Sequence, residues 1–134
     1  MSEENVEIVR LILAAWAQGD FRKEAERLDP QIVFETFMPD TEGNVVARGV
    51  EDLAAYTRDW FAQWRRYRIV GEDFEAVGPD KVFASVRQIG AGGQSGVEVE
   101  SPGFTVWTLR EGKVVGLFLH YDRSEALNAA GLRE

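Results

Sequence analysis

Apolar residues recur at helical spacing in the first part of the chain. Ile8, Val9, Ile12, Leu13 and Trp16 form one stripe, predicting a helix over residues 3–18. Ser2 is placed to cap it, Glu3 and Glu4 suit its positive end, and Gly19 can close it. A short second helix is predicted from Asp20 to about Leu28, where Asp29-Pro30 stops it. Ile32, Val33, Phe34 and Phe37 crowd into residues 31–37 and predict a strand. A polar loop then leads to Gly49. The third helix is expected over residues 50–64, with an unusually aromatic stripe of Leu53, Tyr56, Trp60, Phe61 and Trp64.

From Tyr67 onward the period changes from 3.6 to two. Strands are expected at 67–77, 82–90, 97–109 and 113–122. Gly90–Gly96 joins the middle pair as a flexible hairpin, and Glu111-Gly112 joins the last pair tightly. Asp122 is a favoured helix cap, and a short helix closes the chain over 123–130. Helices and strands are segregated, so the class is α+β with a largely antiparallel sheet. Phe104 and Val106 alternate with Thr105 and Trp107, and Phe118 with Leu117 and Leu119. Apolar residues on both alternating sets mean that both sheet faces are covered. Sheet curvature or a second subunit would do this.

At 134 residues, 45% hydrophobic and 28% charged, the chain suits one domain spanning residues 1–134. It has no cysteine and one histidine, His120. Thiolate catalysis, cysteine-ligated metals and multi-histidine sites are excluded, and no cofactor is expected. The net charge of −8 disfavours binding to phosphate backbones or anionic membranes. No apolar run approaches the ~20 residues that span a bilayer. The acidic start, Met-Ser-Glu-Glu-Asn, is unlike a signal peptide, and a cytoplasmic protein is the expectation. Gly90–Gly96 lacks the lysine and helix of a phosphate loop. Arg65, Arg66 and Arg68 read as a solvated turn.

Several phrases, taken in order, resemble one superfamily. They are Ala-Trp-Ala-Gln-Gly-Asp-Phe (15–21), Leu-Asp-Pro-x-Ile-x-Phe (28–34), Arg-Gly (48–49) and Gly-Val-Glu-Val-Glu (96–100). Val-Trp-Thr-Leu-Arg-Glu-Gly-Lys-Val (106–114) and His-Tyr-Asp-Arg-Ser-Glu-Ala-Leu-x-Ala-Ala-Gly-Leu (120–132) complete the set. Together they resemble the nuclear-transport-factor-2-like superfamily, in its SnoaL-like polyketide-cyclase branch. The resemblance implies a cystatin-like α+β cone, in which a curved antiparallel sheet wraps helices around an apolar cavity. It also implies a homodimer joined through the outer sheet face. Such folds serve isomerases, epoxide hydrolases, dehydratases, cyclases and binding modules, so the fold alone does not set the function.

The superfamily's chemistries can be tested residue by residue. Ketosteroid isomerase uses an aspartate base with a tyrosine and a protonated aspartic acid in an oxyanion hole. Those positions fall here on Glu35, near Ile12 and near Thr105. Isoleucine donates no hydrogen bond and threonine is no acid, so that oxyanion hole is lost. The charged set of limonene epoxide hydrolase would fall near Leu119 and within Val82–Ser85, where there is no charge. The cyclases' acid and histidine leave Glu35 and His120 as the available pair. His120 alternates with Leu119 and Tyr121, which the resemblance places in the cavity, so that His120 would turn toward the outer face. Glu35 shares a strand face with Val33 and Phe37; burial there would make it a base, and Arg87 or Arg48 could instead pair with it.

Two functions therefore stand side by side. One is a cofactor-independent cyclase, isomerase or hydrolase-type enzyme acting on an apolar carbonyl compound. Its catalytic residues would be Glu35, Tyr121 and His120. The other is a non-catalytic module that binds a small apolar molecule in the same cavity. In both, Trp16, Phe37, Tyr56, Trp60, Thr105, Trp107 and Leu119 are the candidate cavity walls.

Overall fold

The computed structural model describes residues 2–37, 44–92 and 96–131; the side chains of Ser2, Phe37, Asn44 and Arg65 lie outside that description. The elements run α1 (Ser2–Trp16), a 3₁₀ turn (Ala25–Arg27), β1 (Leu28–Phe37), β2 (Asn44–Arg48) and α2 (Gly49–Phe61). Then come β3 (Trp64–Val77), β4 (Lys81–Gly92), β5 (Glu98–Arg110), β6 (Lys113–His120) and α3 (Arg123–Ala130). One six-stranded sheet has the order β2-β1-β6-β5-β4-β3. Every neighbouring pair is antiparallel except β1 with β6, which is parallel.

Three expectations are corrected by the structure. The second helix is reduced to the 3₁₀ turn. Asp20 Oδ1 accepts from the backbone N–H groups of Arg22 and Lys23, and Glu24 adopts left-handed backbone angles that no α-helix continues. The third helix stops at Phe61, and Trp64 begins β3 opposite Gly92. The stretch before Gly49 contains β2, whose Val46 and Ala47 pair with Glu35 and Phe34. Pro30 sits inside β1 without penalty, because β2 pairs only with Val33–Phe37 and the missing N–H has no partner to lose there.

Alternation along the strands sorts the side chains onto two faces. The inner face packs on α1. Val9, Ile12 and Leu13 meet Ile32, Val82, Val86, Trp107 and Leu117 in the main core. Helix and sheet approach closely at Gly71: a Cβ there would stand 2.9 Å from Leu13 Cδ1 and 2.7 Å from Phe74 Cζ.

The outer face carries a second core. Phe83 and Val106, with Phe104 and Phe118 at their edge, pack against Ala126, Leu127 and Ala130 of α3. Asp122 caps that helix, its carboxylate accepting from the Ser124 N–H at 2.8 Å. Thus the chain's own last helix covers part of the outer face, around Phe83 and Val106. No described helix is long and apolar enough to cross a membrane.

Candidate functional site

Between the inner sheet face, the C-terminal end of α1, the 20–28 segment and α2 lies a cavity of about 850 Å³. Ile32 and Phe34 of β1, Leu53 of α2, Ile69 of β3 and Leu117 and Leu119 of β6 give it apolar walls. It is large because α2 stands off the sheet. None of the 13 residues of α2 is fully buried; Leu53 and Tyr56 pack only partly against the main core, and both border the cavity with Trp60.

One end of the cavity is an aromatic wall centred on Tyr67. Trp60 meets that ring edge-on at 6.0 Å, and Phe61 and Phe21 lie at 5.4 and 6.1 Å. Phe21 in turn contacts Phe61 at 4.5 Å and Trp16 at 5.6 Å. Such pairs stabilise by roughly 0.5–1.5 kcal/mol beyond their buried area. Phe21 therefore draws residues 20–28 onto the cavity, which explains why that segment is not an independent helix. Gly90 makes room for the wall, since a Cβ there would stand 2.8 Å from Trp64 and 3.2 Å from Tyr67.

The buried polar side chains of the lining are Thr36, Tyr67, Gln88 and Thr105. The Tyr67 hydroxyl donates to Gln88 Oε1 at 2.7 Å, in a buried setting. Burial pushes the Tyr67 hydroxyl well above the ordinary tyrosine range, against a smaller opposing pull from the Trp60 indole. Tyr56 is raised too, by burial first and by neighbouring Tyr121 second. Both rings are neutral at pH 7. The Thr105 hydroxyl donates to the Ala84 carbonyl at 2.7 Å and accepts from Trp107 Nε1 at 2.8 Å. Its one proton is engaged within the protein.

The candidate residues divide cleanly. Trp16, Tyr56, Trp60, Thr105, Leu119 and Tyr121 border the cavity. Trp107 does not: it is 0% exposed, tilted against Trp16 with ring centroids 5.4 Å apart, and belongs to the core. The Phe37 side chain lies outside the described residues. Glu35 and His120 fall on the other face from the cavity. Glu35 alternates with Phe34 and Thr36, which border the cavity, and pairs across the sheet with Val46 and Phe118. His120 alternates with Leu119 and Tyr121, stacks on Phe118 at 5.9 Å, and accepts through Nδ1 from the Asp122 N–H.

The outward turn of His120 that its alternation with Leu119 and Tyr121 predicted thus holds, and Glu35 stands on that outer face as well. The reason is the strict two-residue period: one position along a strand is the whole thickness of the sheet. Arg87, a partner considered for Glu35, is instead engaged by Glu72 and Glu100 at 3.1 and 2.7 Å.

Among the described residues, Asp20 is the only carboxylate bordering the cavity. Backbone hydrogen bonds from Lys23 and then Arg22 hold it below the usual aspartate range, which makes it a weak base. No described group of acidic, cysteine or histidine residues could hold a metal ion. Gln88 and Tyr67 escaped sequence reasoning. The available signal was a single polar residue, Gln88, in the otherwise apolar alternating set Val82, Ala84, Val86.

Comparison with known proteins adds a family and a fold. The model of the SnoaL-like domain family matches residues 9–117. A candidate SnoaL-like polyketide cyclase from Jannaschia sp. CCS1 is 24% identical, with a TM-score of 0.74 over 99% of this chain and 95% of that one. A protein of ketosteroid isomerase-like fold from Catenulispora acidiphila DSM 44928, in complex with trimethylamine, is 17% identical, with a TM-score of 0.71 over 94% and 93%. TerC, co-crystallised with polyporic acid, is 14% identical, with a TM-score of 0.74 over 96% and 98%. At these identities the likeness shows the fold alone. A comparison with curated proteins finds no match.

Proposed function

The chain belongs to the SnoaL-like domain family, and from that premise we propose that it binds a flat, apolar small molecule in its cavity without using Glu35 as a base. The carrying observation is the cavity itself. Its volume of about 850 Å³ lies within the range of ligand sites, roughly 300–1,000 Å³. Its walls are aromatic and aliphatic, and the one described carboxylate beside it is committed to a backbone turn. Two similar folds hold small organic molecules, trimethylamine and polyporic acid, which supports the reading. The binding reading is favoured over the enzyme reading because, of the candidate catalytic residues, Tyr121 borders the cavity while Glu35 and His120 fall on the outer face.

The test uses N-phenyl-1-naphthylamine, a neutral aromatic probe whose fluorescence rises in apolar surroundings. The wild type is expected to bind it saturably. Leu53→Trp with Leu119→Trp places two further indoles in the cavity, and at least a tenfold loss of affinity is expected. Circular dichroism establishes that the variant is folded. No saturable binding by the wild type, or equal affinity in the folded variant, refutes the reading.

A further inference from the structure

Gln88 is buried to the extent that an apolar core residue would be, at 6% exposure. It stands on the inner face of β4 and borders the cavity. Its carbonyl oxygen is satisfied by the Tyr67 hydroxyl at 2.7 Å. Its amide nitrogen, Nε2, is buried with no hydrogen-bond partner. Native proteins pair nearly all buried polar atoms, so such a group calls for an explanation.

The two ends of the amide are not interchangeable. The Tyr67 hydroxyl has one proton, and Gln88 Oε1 is the acceptor that takes it. Turning the amide over would leave that proton facing N–H groups. Tyr67 is itself held in place by the rings of Trp60, Phe61 and Trp64. The nitrogen is therefore fixed as the free end. Around it the protein offers carbon: a Cβ built on Gly103 would meet Leu119 Cδ1 and Val86 Cγ2 at 3.1 Å and Gln88 Nε2 at 3.3 Å, so these three atoms converge.

We propose that the Gln88 amide nitrogen is the polar anchor of the cavity, donating a hydrogen bond to a carbonyl or similar acceptor oxygen on an otherwise apolar ligand. This rests on the cavity being a ligand site, and it adds the chemical handle by which the ligand is chosen. A buried donor on a residue that borders an apolar cavity discriminates sharply, because a ligand without an acceptor leaves it unpaired.

The probes are 1-tetralone and tetralin, two bicyclic molecules of nearly the same shape that differ by one carbonyl oxygen. Tetralone is the more water-soluble, so a purely apolar cavity ranks tetralin first. Wild-type protein titrated with each by calorimetry is expected to bind tetralone at least about tenfold more tightly. Gln88→Leu is expected to reverse the order. Because that change orphans the Tyr67 hydroxyl, the double variant Tyr67→Phe/Gln88→Leu, which removes both polar partners, serves as the folded control and should show the same reversal. If the wild type binds both compounds equally or prefers tetralin, the anchor is refuted while the cavity reading stands. A tetralone preference that survives in the double variant refutes it equally. If folded wild-type protein binds neither compound, nor the naphthylamine probe, both readings fail.

Discussion

On its inner face the sheet meets α2, a 13-residue helix with no fully buried residue, and about 850 Å³ stays open between them. On its outer face it meets α3, a helix of only eight residues, three of which are buried. The shorter helix packs more completely. Ala126 and Ala130, one turn apart, present small side chains that let α3 settle onto Phe83 and Val106, with Leu127 filling the contact. Along α2 the corresponding positions are Leu53, Tyr56 and Trp60, too bulky for close approach. The Tyr56 and Trp60 rings lean on Phe34, Trp64 and Tyr67 at the margins of the cavity and hold the helix away from its floor. An apolar stripe thus closes a core or frames a cavity according to the size of its side chains.

The comparison can be strained hardest at the two cores. Trp107→Ala removes the largest fully buried side chain and should cost about 3–5 kcal/mol in urea denaturation. Leu127→Ala on the outer face should cost about 2–3 kcal/mol and leave naphthylamine binding within twofold of wild type. A large loss of binding in folded Leu127→Ala would show that the two faces are coupled.

Tyr67 tests the polar side of the cavity. Tyr67→Phe leaves Gln88 Oε1 without its donor and should destabilise by about 1–2 kcal/mol at pH 7. The pH dependence follows from burial. The folded protein favours the neutral phenol, so this contribution is complete below the unfolded tyrosine value near 10 and is lost as pH rises above it. The alkaline fall in stability should therefore be shallower in Tyr67→Phe than in wild type. Identical slopes above pH 10 would contradict the buried position of this ring.

The smallest effect is expected at Glu35. Glu35→Gln should change cavity affinity by less than twofold, since the residue faces away from the cavity. A tenfold change, measured with the same naphthylamine titration, would place the carboxylate on the wrong side of the sheet in this account.

Much of this was legible from residue patterns. The stripe Ile8–Trp16 and the capped segment after Asp122 give α1 and α3, and the change to period two at Tyr67 marks the antiparallel strands. The errors have physical causes. Residues 20–28 carry helical spacing, but Phe21 gains more from the aromatic wall than from a helix face. The aromatic stripe of the third helix runs on through Trp64, yet that residue pairs with Gly92 as the first residue of β3. Tertiary contacts override local propensity at both places.

The sequence by itself determined the class of fold, the order of most elements and the presence of apolar residues on both sheet faces. These depend on local periodicity, which one-dimensional order contains. Which face each residue serves was decided only by the tertiary structure. Glu35 and Phe34 are neighbours in the chain, and a shift of one residue in strand register would exchange them. Register depends on contacts with β2 and β6, which come later in the sequence. The cavity, the outer cover supplied by α3 and the unpaired nitrogen of Gln88 likewise arise from elements distant in the chain meeting in space.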